Sequence, residues 1–269
     1  MKYTFDPDFD GGLLQAVIFD VDGTLADTER DLHRVAFNRA FRKAGLDWYW
    51  DVPTYGRLLK VTGGKERILH FIRNDAPPGV PADPEALTRE LHALKTEFYI
   101  ELLQKGEISL RPGVERLLRD LRRCGFRMAI ATTTTLANVT TLLEATLGEG
   151  AHRWFEVIGA GDVVPNKKPA PDIYHYVLQK LGLPASACFA IEDSGNGLRA
   201  ASGAGIRTIV TPTVYTMRED FDSAFAVLSD LGEPAWHCHH FGGYRPDRGF
   251  IDVAQLDAWH AAMPLELAC

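Results

Sequence analysis

Short apolar runs and amphipathic stretches alternate along most of the chain. Ala16–Phe19, Met128–Ala131, Val157–Ala160 and Phe189–Ile191 have the length and composition of buried strands, and Thr208–Val210, after "GAGIR", reads the same way. Between them lie helical patterns. "GVERLLRDLRRCG" (113–125) sets Val114, Leu117, Leu118 and Leu121 on one face and stops at Gly125. "PDIYHYVLQKLG" (171–182) opens on a proline, aligns Ile173, Val177 and Leu181, and ends at Gly182. Strand–helix alternation of this kind predicts an α/β fold, a Rossmann-like parallel sheet with helices on both faces.

The stretch from about Asp31 to Lys105 breaks the alternation. It holds almost no strand signal and several helical runs: "LHRVAFNRAFRKAG", with Val35, Phe37, Ala40 and Phe41, and "DPEALTRELHALKTEFYIELLQKG", entered through the proline-rich "APPGVPADP". Alternation returns after "RPG" (111–113). The pattern predicts a helical cap domain, residues 30–106, inserted after the first strand on two hinge strands. Residues 1–29 and 107–269 form the core, with a C-terminal extension from about 221.

Composition narrows the function classes. The 269 residues carry a net charge of −7, against the basic footprint of a nucleic-acid binder but compatible with an anionic small molecule held by a few local cations. The four cysteines show no paired spacing. "MKYTFDPDFDGG" has neither a signal-peptide nor a transit-peptide pattern, and no apolar run approaches the ~20 residues of a membrane helix. The expectation is a cytoplasmic protein that binds neither membrane nor nucleic acid.

Candidate chemistry sits at the strand ends, because open α/β sheets bind ligands beyond the carboxyl ends of their strands. The first strand, in "VIFDVDGTLADTE" (17–29), runs into Asp20 and Asp22 before Gly23 breaks it. The second ends at Thr132, heading "TTTT". The third is followed by "NKKPAPD" with Lys167 and Lys168. The fourth is followed by Glu192, Asp193 and Ser194. Four carboxylates, a hydroxyl and a lysine suit phosphoryl transfer, which needs an in-line nucleophile, a cation on the phosphate and an acid for the leaving oxygen. Carboxylates without thiolate or imidazole partners favour Mg2+ over zinc. Taken singly, "DVD", "KKP", "TTTT" and "ED" are ordinary loops and caps; their joint order at successive strand ends carries the signal.

These four segments resemble the motifs of the haloacid dehalogenase superfamily of phosphatases. The resemblance implies that Asp20 is the phosphorylated nucleophile and that Asp22 protonates the leaving oxygen and then activates water. Thr132 and the Thr133 amide would hold phosphate oxygens, with Thr134 beside them, and Lys168 would offset charge. Asp193, with Glu192, would bind Mg2+ together with the Asp20 carboxylate and the Asp22 carbonyl. Asp20 must be ionised and Asp22 protonated; a metal contact lowering one and a drier hinge raising the other would separate them.

Within that superfamily, "ADTERDLHRVAFNRAF", "GLDWYWDVPTYGRLL", "TGGKERI" and "FEVIGAGDVVPNKKPAPDIY" are similar to the CbbY-type phosphatases associated with the Calvin cycle. Members of that group dephosphorylate xylulose 1,5-bisphosphate, an inhibitor of Rubisco. A bisphosphate needs a second phosphate site, and "TGGKER" offers Gly64 at a helix start, then Lys65 and Arg67. Tyr55 adds a hydroxyl. Glu29 and His33, four apart, share a helix face and would meet sugar hydroxyls or assist Asp22. A phosphosugar mutase of the β-phosphoglucomutase type shares this core and cap, although "TGGKER" and "DWYW" favour the phosphatase. A binding or regulatory protein that keeps the fold is disfavoured by the intact acidic residues. The tail holds "HCHH" (237–240), read as a histidine-rich loop, and "DVAQLDAWHAAM", read as a short helix on the core.

Overall fold

The computed structural model describes residues 13–106 and 108–261. The N-terminal "MKYTFDPDFDGG", position 107 at the expected cap boundary, the end of the expected C-terminal helix and Cys269 lie outside them. Among the described residues one seven-stranded sheet runs in the order β3-β2-β1-β4-β5-β6-β7. Its strands are β1 (Ala16–Phe19), β2 (Arg127–Ala131), β3 (Val157–Gly159), β4 (Cys188–Glu192), β5 (Arg207–Val210), β6 (Ala226–Leu228) and β7 (His240–Gly243). Every pairing is parallel except β6 with β7.

β1 lies at the centre and is buried on both faces, as its run of four apolar residues requires. Val17 and Phe19 point into a core closed by α5 (Val114–Cys124), α6 (Leu136–Leu147) and α9 (Val253–Ala261). Ala16 and Ile18 point the other way, toward α7 (Asp172–Leu181) and α8 (Gly195–Gly203). Burying a side chain such as Phe19 or Ile18 contributes about 1.5–3 kcal/mol each, which fixes the register of the strand that carries Asp20. The expected stripe of Val114, Leu117, Leu118 and Leu121 is buried, and α5 is bounded by Gly113 and Gly125.

Between β1 and β2 the chain is helical. A π-helical turn at Glu29–His33 leads into α1 (Arg34–Lys43), followed by α2 (Val52–Leu58), α3 (Gly64–Asp75) and α4 (Pro84–Gln104). These helices have their own core, in which Phe37, Phe41, Trp48, Trp50, Tyr55 and Leu91 pack together. "DWYW" therefore serves packing: Trp48 and Trp50 are buried in this aromatic cluster and Tyr49 faces solvent. The two crossings into this unit meet where Ala26 bridges Leu110 in antiparallel fashion.

The segment after residue 221 contributes β6 and β7, which extend the sheet beyond β5, and α9, which packs on α5. "HCHH" ends inside β7, where His240 Nε2 bonds the Gly243 carbonyl at 2.9 Å. No helix among the described residues is long and apolar enough to cross a membrane.

Candidate active site

The strand order places the ends of β2, β1 and β4 side by side, so residues more than a hundred positions apart converge. Lys168 reaches from the loop before α7 and is 5% exposed. Its Nζ donates to Asp20 Oδ1 at 2.7 Å, Glu192 Oε1 at 2.6 Å and the Ala131 carbonyl at 2.8 Å, using all three protons. Tyr174 donates to the same Glu192 oxygen at 2.5 Å. Thr24 Oγ1 donates to Asp20 Oδ2 at 3.2 Å. α8 packs tightly here: a Cβ on Gly197 would lie 1.9 Å from Glu192 Oε2, so only glycine fits.

Asp20, Glu192 and Asp193 each present a carboxylate oxygen, the three lying within 4.8 Å of one another. Burial pushes Asp20 up to about 7, with Glu192 and Asp22 adding to the rise and Lys168 opposing it. Asp193 is raised as well, by burial first and then by Asp20 and Glu192. Glu192 Oε2 is buried with no hydrogen-bond partner. Three crowded acids, a single lysine and an orphaned carboxylate oxygen fit a hard divalent cation, which takes oxygen ligands and offsets the repulsion. The Asp22 carboxylate is not in this cluster.

Asp22 turns instead toward the cap. Its Oδ1 accepts from Thr28 Oγ1 at 2.5 Å and from His33 Nε2 at 2.7 Å. His33 is buried and stacked on Tyr99, with ring centroids 4.3 Å apart. Burial alone would raise Asp22, but the His33 charge and the hydrogen bonds from His33 and Thr28 overcome it and hold the carboxyl well below the usual range. The hinge is as dry as expected, but the donors there outweigh burial: without a cation Asp20 is raised and Asp22 lowered, an order that a cation on Asp20 would have to offset. His33→Ala should raise the Asp22 pKa and lower kcat by about 10–100-fold. The acidic limb of the pH–rate profile should move upward; an unmoved limb would separate His33 from Asp22.

The cavity has two lobes, of about 640 and 510 Å3 empty volume, sharing Asp22, Glu29, Arg67 and Thr133. The first holds the acidic cluster with Lys168 and Thr132. The second is lined by the cations Lys65, Arg67, Lys95 and Lys167, with His92, Thr134, His33 and Gly64 at the start of α3, and by the acids Glu29 and Asp162. α3 has no side-chain cap, and its first residues, Gly64 and Lys65, line this lobe.

The remaining predicted residues divide. Tyr55 is fully buried; its hydroxyl donates to Glu29 Oε2 and accepts from Arg67 Nη1 at 2.9 Å. Glu29, Tyr55 and Arg67 are thus one chain of contacts at the junction of the lobes, and Tyr55 itself is not on the cavity wall. Lys65 is half-exposed and paired with Asp162 at 2.8 Å.

Sequence reasoning missed Lys95, which is 3% exposed and lies over the Phe37 and Tyr99 rings. Burial pulls it down to about 8, against the attraction of Asp22 and Glu29. Burial, then Lys95, Lys65 and Lys167, lowers His92 to about 4. A signal was present: Thr88, Leu91, Lys95, Tyr99 and Leu102 repeat at helical spacing along the buried face of α4, so Lys95 interrupts an inward stripe.

Comparison with known proteins agrees with this geometry. A family model described as haloacid dehalogenase-like hydrolase matches residues 14–205. Protein CbbY (plasmid) of Cupriavidus necator is 48% identical over 255 residues, covering 94% of this chain and 99% of that protein. A crystal structure of a CbbY mutant from Rhodobacter sphaeroides in complex with xylulose-(1,5)bisphosphate superposes with a TM-score of 0.79 at 45% identity, covering 91% of this chain and 100% of that one. A putative β-phosphoglucomutase from Thermotoga maritima gives 0.58 at 26% identity, covering 79% of this chain and 93% of that one. The chain belongs to the haloacid dehalogenase-like hydrolases and, within them, to the CbbY group.

Proposed function

We propose that this chain is a Mg2+-dependent phosphatase that removes one phosphate from xylulose 1,5-bisphosphate by way of a phosphorylated Asp20. The observation that carries the reading is the pairing of lobes. One offers a buried acidic cluster with a lysine, suited to the reacting phosphate and a cation; the other offers Lys95, Arg67, Lys167 and the α3 amides, suited to a second phosphate. That the similar Rhodobacter protein binds this compound supports the choice of sugar.

Asp20, Glu192 and Asp193 would hold Mg2+, together with the Asp22 main-chain carbonyl. When bound, the cation supplies positive charge beside the phosphate and favours the ionised form of Asp20. An Asp20 oxygen then attacks phosphorus, the bond to the sugar oxygen breaks, and an acyl phosphate forms on Asp20. The departing oxygen takes the proton that His33 Nε2 shares with Asp22 Oδ1, leaving the pair one proton short until water returns it. In the second half Asp22, ionised as His33 and Thr28 hold it, accepts a proton from water attacking the same phosphorus, and Asp20 is freed. Thr132 and the Thr133 amide bind phosphate oxygens, and Lys168 keeps Asp20 aimed. Glu29 accepts from sugar hydroxyls. The cap closing over the cavity excludes bulk water. A cytoplasmic setting belongs to the same reading and suits the free thiols of Cys124, Cys188 and Cys238.

The test is a panel. With Mg2+, phosphate should be released from xylulose 1,5-bisphosphate and far less from ribulose 1,5-bisphosphate or β-glucose 1-phosphate. Isomerised glucose phosphate without phosphate release would make the chain a mutase, and silence on all three would end the proposal.

The cap cations should rank by burial. Lys95→Met is expected to raise KM for the bisphosphate by about 10–100-fold, the worth of a buried charge-assisted contact. Lys65→Ala should raise it only about two- to fivefold, since Lys65 is half-exposed and already paired. Equal effects, or a larger one at Lys65, would move the distal phosphate to the cavity rim.

A further inference from the structure

We propose that Arg111 is a positioning residue that holds the nucleophile loop against the Asp193 loop and so sets the spacing of the acidic cluster. The inference rests on the reading of that cluster as a Mg2+ site. Arg111 stands where the chain leaves the cap, its amide bonding the Leu25 carbonyl at 2.8 Å. From sequence, "RPG" there signals only a turn. The side chain is 9% exposed and does much more.

Its guanidinium gathers main-chain carbonyls from three separate loops. Nη1 donates to the Gly23 carbonyl, after β1, and to the Thr211 carbonyl at 2.6 Å, after β5. Nη2 donates to the Pro212 carbonyl at 3.1 Å and to the Ser229 carbonyl at 2.9 Å, after β6. Nε lies 3.5 Å from Asp27 Oδ1.

Two of those loops bear on the acids. Gly23 (φ 86°) abuts Asp193 so closely that a Cβ there would lie 2.2 Å from Asp193 Oδ2. Thr211 N bonds the Glu192 carbonyl at 2.7 Å, and Thr216 Oγ1, from the same loop, bonds the Asp193 carbonyl at 2.7 Å. Fixing Gly23 and Thr211 to one rigid, planar group therefore fixes Asp20 and Asp22 relative to Glu192 and Asp193. The fork geometry matters: a lysine ammonium has three protons at a single point and cannot span carbonyls from three loops. Because Arg111 also begins the return from the cap, the hinge and the acidic cluster share one anchor.

The test compares Arg111→Lys with Arg116→Lys. Arg116 is a matched control: it too binds several carbonyls, those of Gly232 and Ile251, at 2.7 and 2.9 Å, but none from the loops that hold Asp20 or Asp193. Mg2+ binding to the substrate-free protein is measured by calorimetry, alongside kcat, KM and Tm. Arg111→Lys should weaken Mg2+ binding about tenfold or more and lower kcat by a similar factor, with KM changed less than about twofold. Arg116→Lys should lower Tm and leave Mg2+ affinity and kcat at wild-type values.

Wild-type Mg2+ affinity in Arg111→Lys, or losses in both variants that merely follow Tm, would overturn the assignment. If Arg111→Lys does not fold, Thr211→Val, which removes the hydroxyl 3.1 Å from Nη1, should still weaken Mg2+ binding about two- to threefold, and an unchanged affinity would overturn it equally. A wild-type protein that neither binds Mg2+ nor releases phosphate would instead defeat the phosphatase reading, and this inference with it.

Discussion

Asp20→Asn is expected to abolish phosphate release, lowering kcat by at least about four orders of magnitude, because an amide oxygen is too poor a nucleophile to form the acyl phosphate. The fold should survive, since the amide keeps the shape and can still accept from Lys168. The same variant tests the electrostatics. Asp20 is raised to about 7 from an ordinary value of 3.8, chiefly by burial. An acid raised on folding favours the folded state while protonated, so its contribution is complete below about pH 4 and is lost as pH rises through about 7. Cation binding needs the carboxylate and gains over the same interval. Mg2+ should therefore raise the wild-type Tm little at about pH 5 and increasingly up to about pH 7–8. Asp20→Asn should lose this step, keeping only what Asp193 adds. A wild-type step retained in the Asn variant would place the titrating ligand elsewhere.

Lys168→Met should be the most destabilising single change at the site. It leaves Asp20 and Glu192 facing each other in a closed environment where Lys168 had bridged them at 2.7 and 2.6 Å. Removing one member of a buried ion cluster costs about 3–5 kcal/mol. For a domain of this size that is a fall in Tm of roughly 6–20 °C. The deficit should shrink on acidification, as the stranded carboxylates take up protons, and should be partly restored by Mg2+. Thermal denaturation across pH checks this; a deficit of only a degree or two, or one that ignores pH, would mean that the lysine is replaceable by packing. Activity should fall with it, since Asp20 loses the group that aims it.

The parts of this architecture most legible in the sequence are those where local pattern and global role coincide. "AVIF" reads as a buried strand because a glycine break and helical patterns follow it, and the acids after it then fall at the sheet's carboxyl edge. The stripe of α5 was readable because its period and its terminal glycines agree. β6 and β7 were not: "AVL" is three residues long and "HFGG" has no alternation, so their strand character comes from pairing with β5 and with each other. Lys95 and Arg111 escaped for a related reason. Charged residues read as solvated by default, and only the packed structure reveals that one interrupts a buried helical face and the other collects carbonyls from three loops. The order of the Asp20 and Asp22 pKa values was likewise invisible, because its sign turns on His33 meeting Asp22 across the hinge.

The central claim is that Asp20 itself carries the phosphoryl group. Wild-type protein and Asp22→Asn, in which attack by water should stall, are mixed with Mg2+ and xylulose 1,5-bisphosphate, quenched in acid and reduced with borohydride, and the peptide spanning position 20 is mapped by mass. The account predicts homoserine at position 20, formed by reduction of the acyl phosphate, with the higher yield in Asp22→Asn. Phosphate release with position 20 unmodified, or the modification found at Asp193 instead, would contradict it.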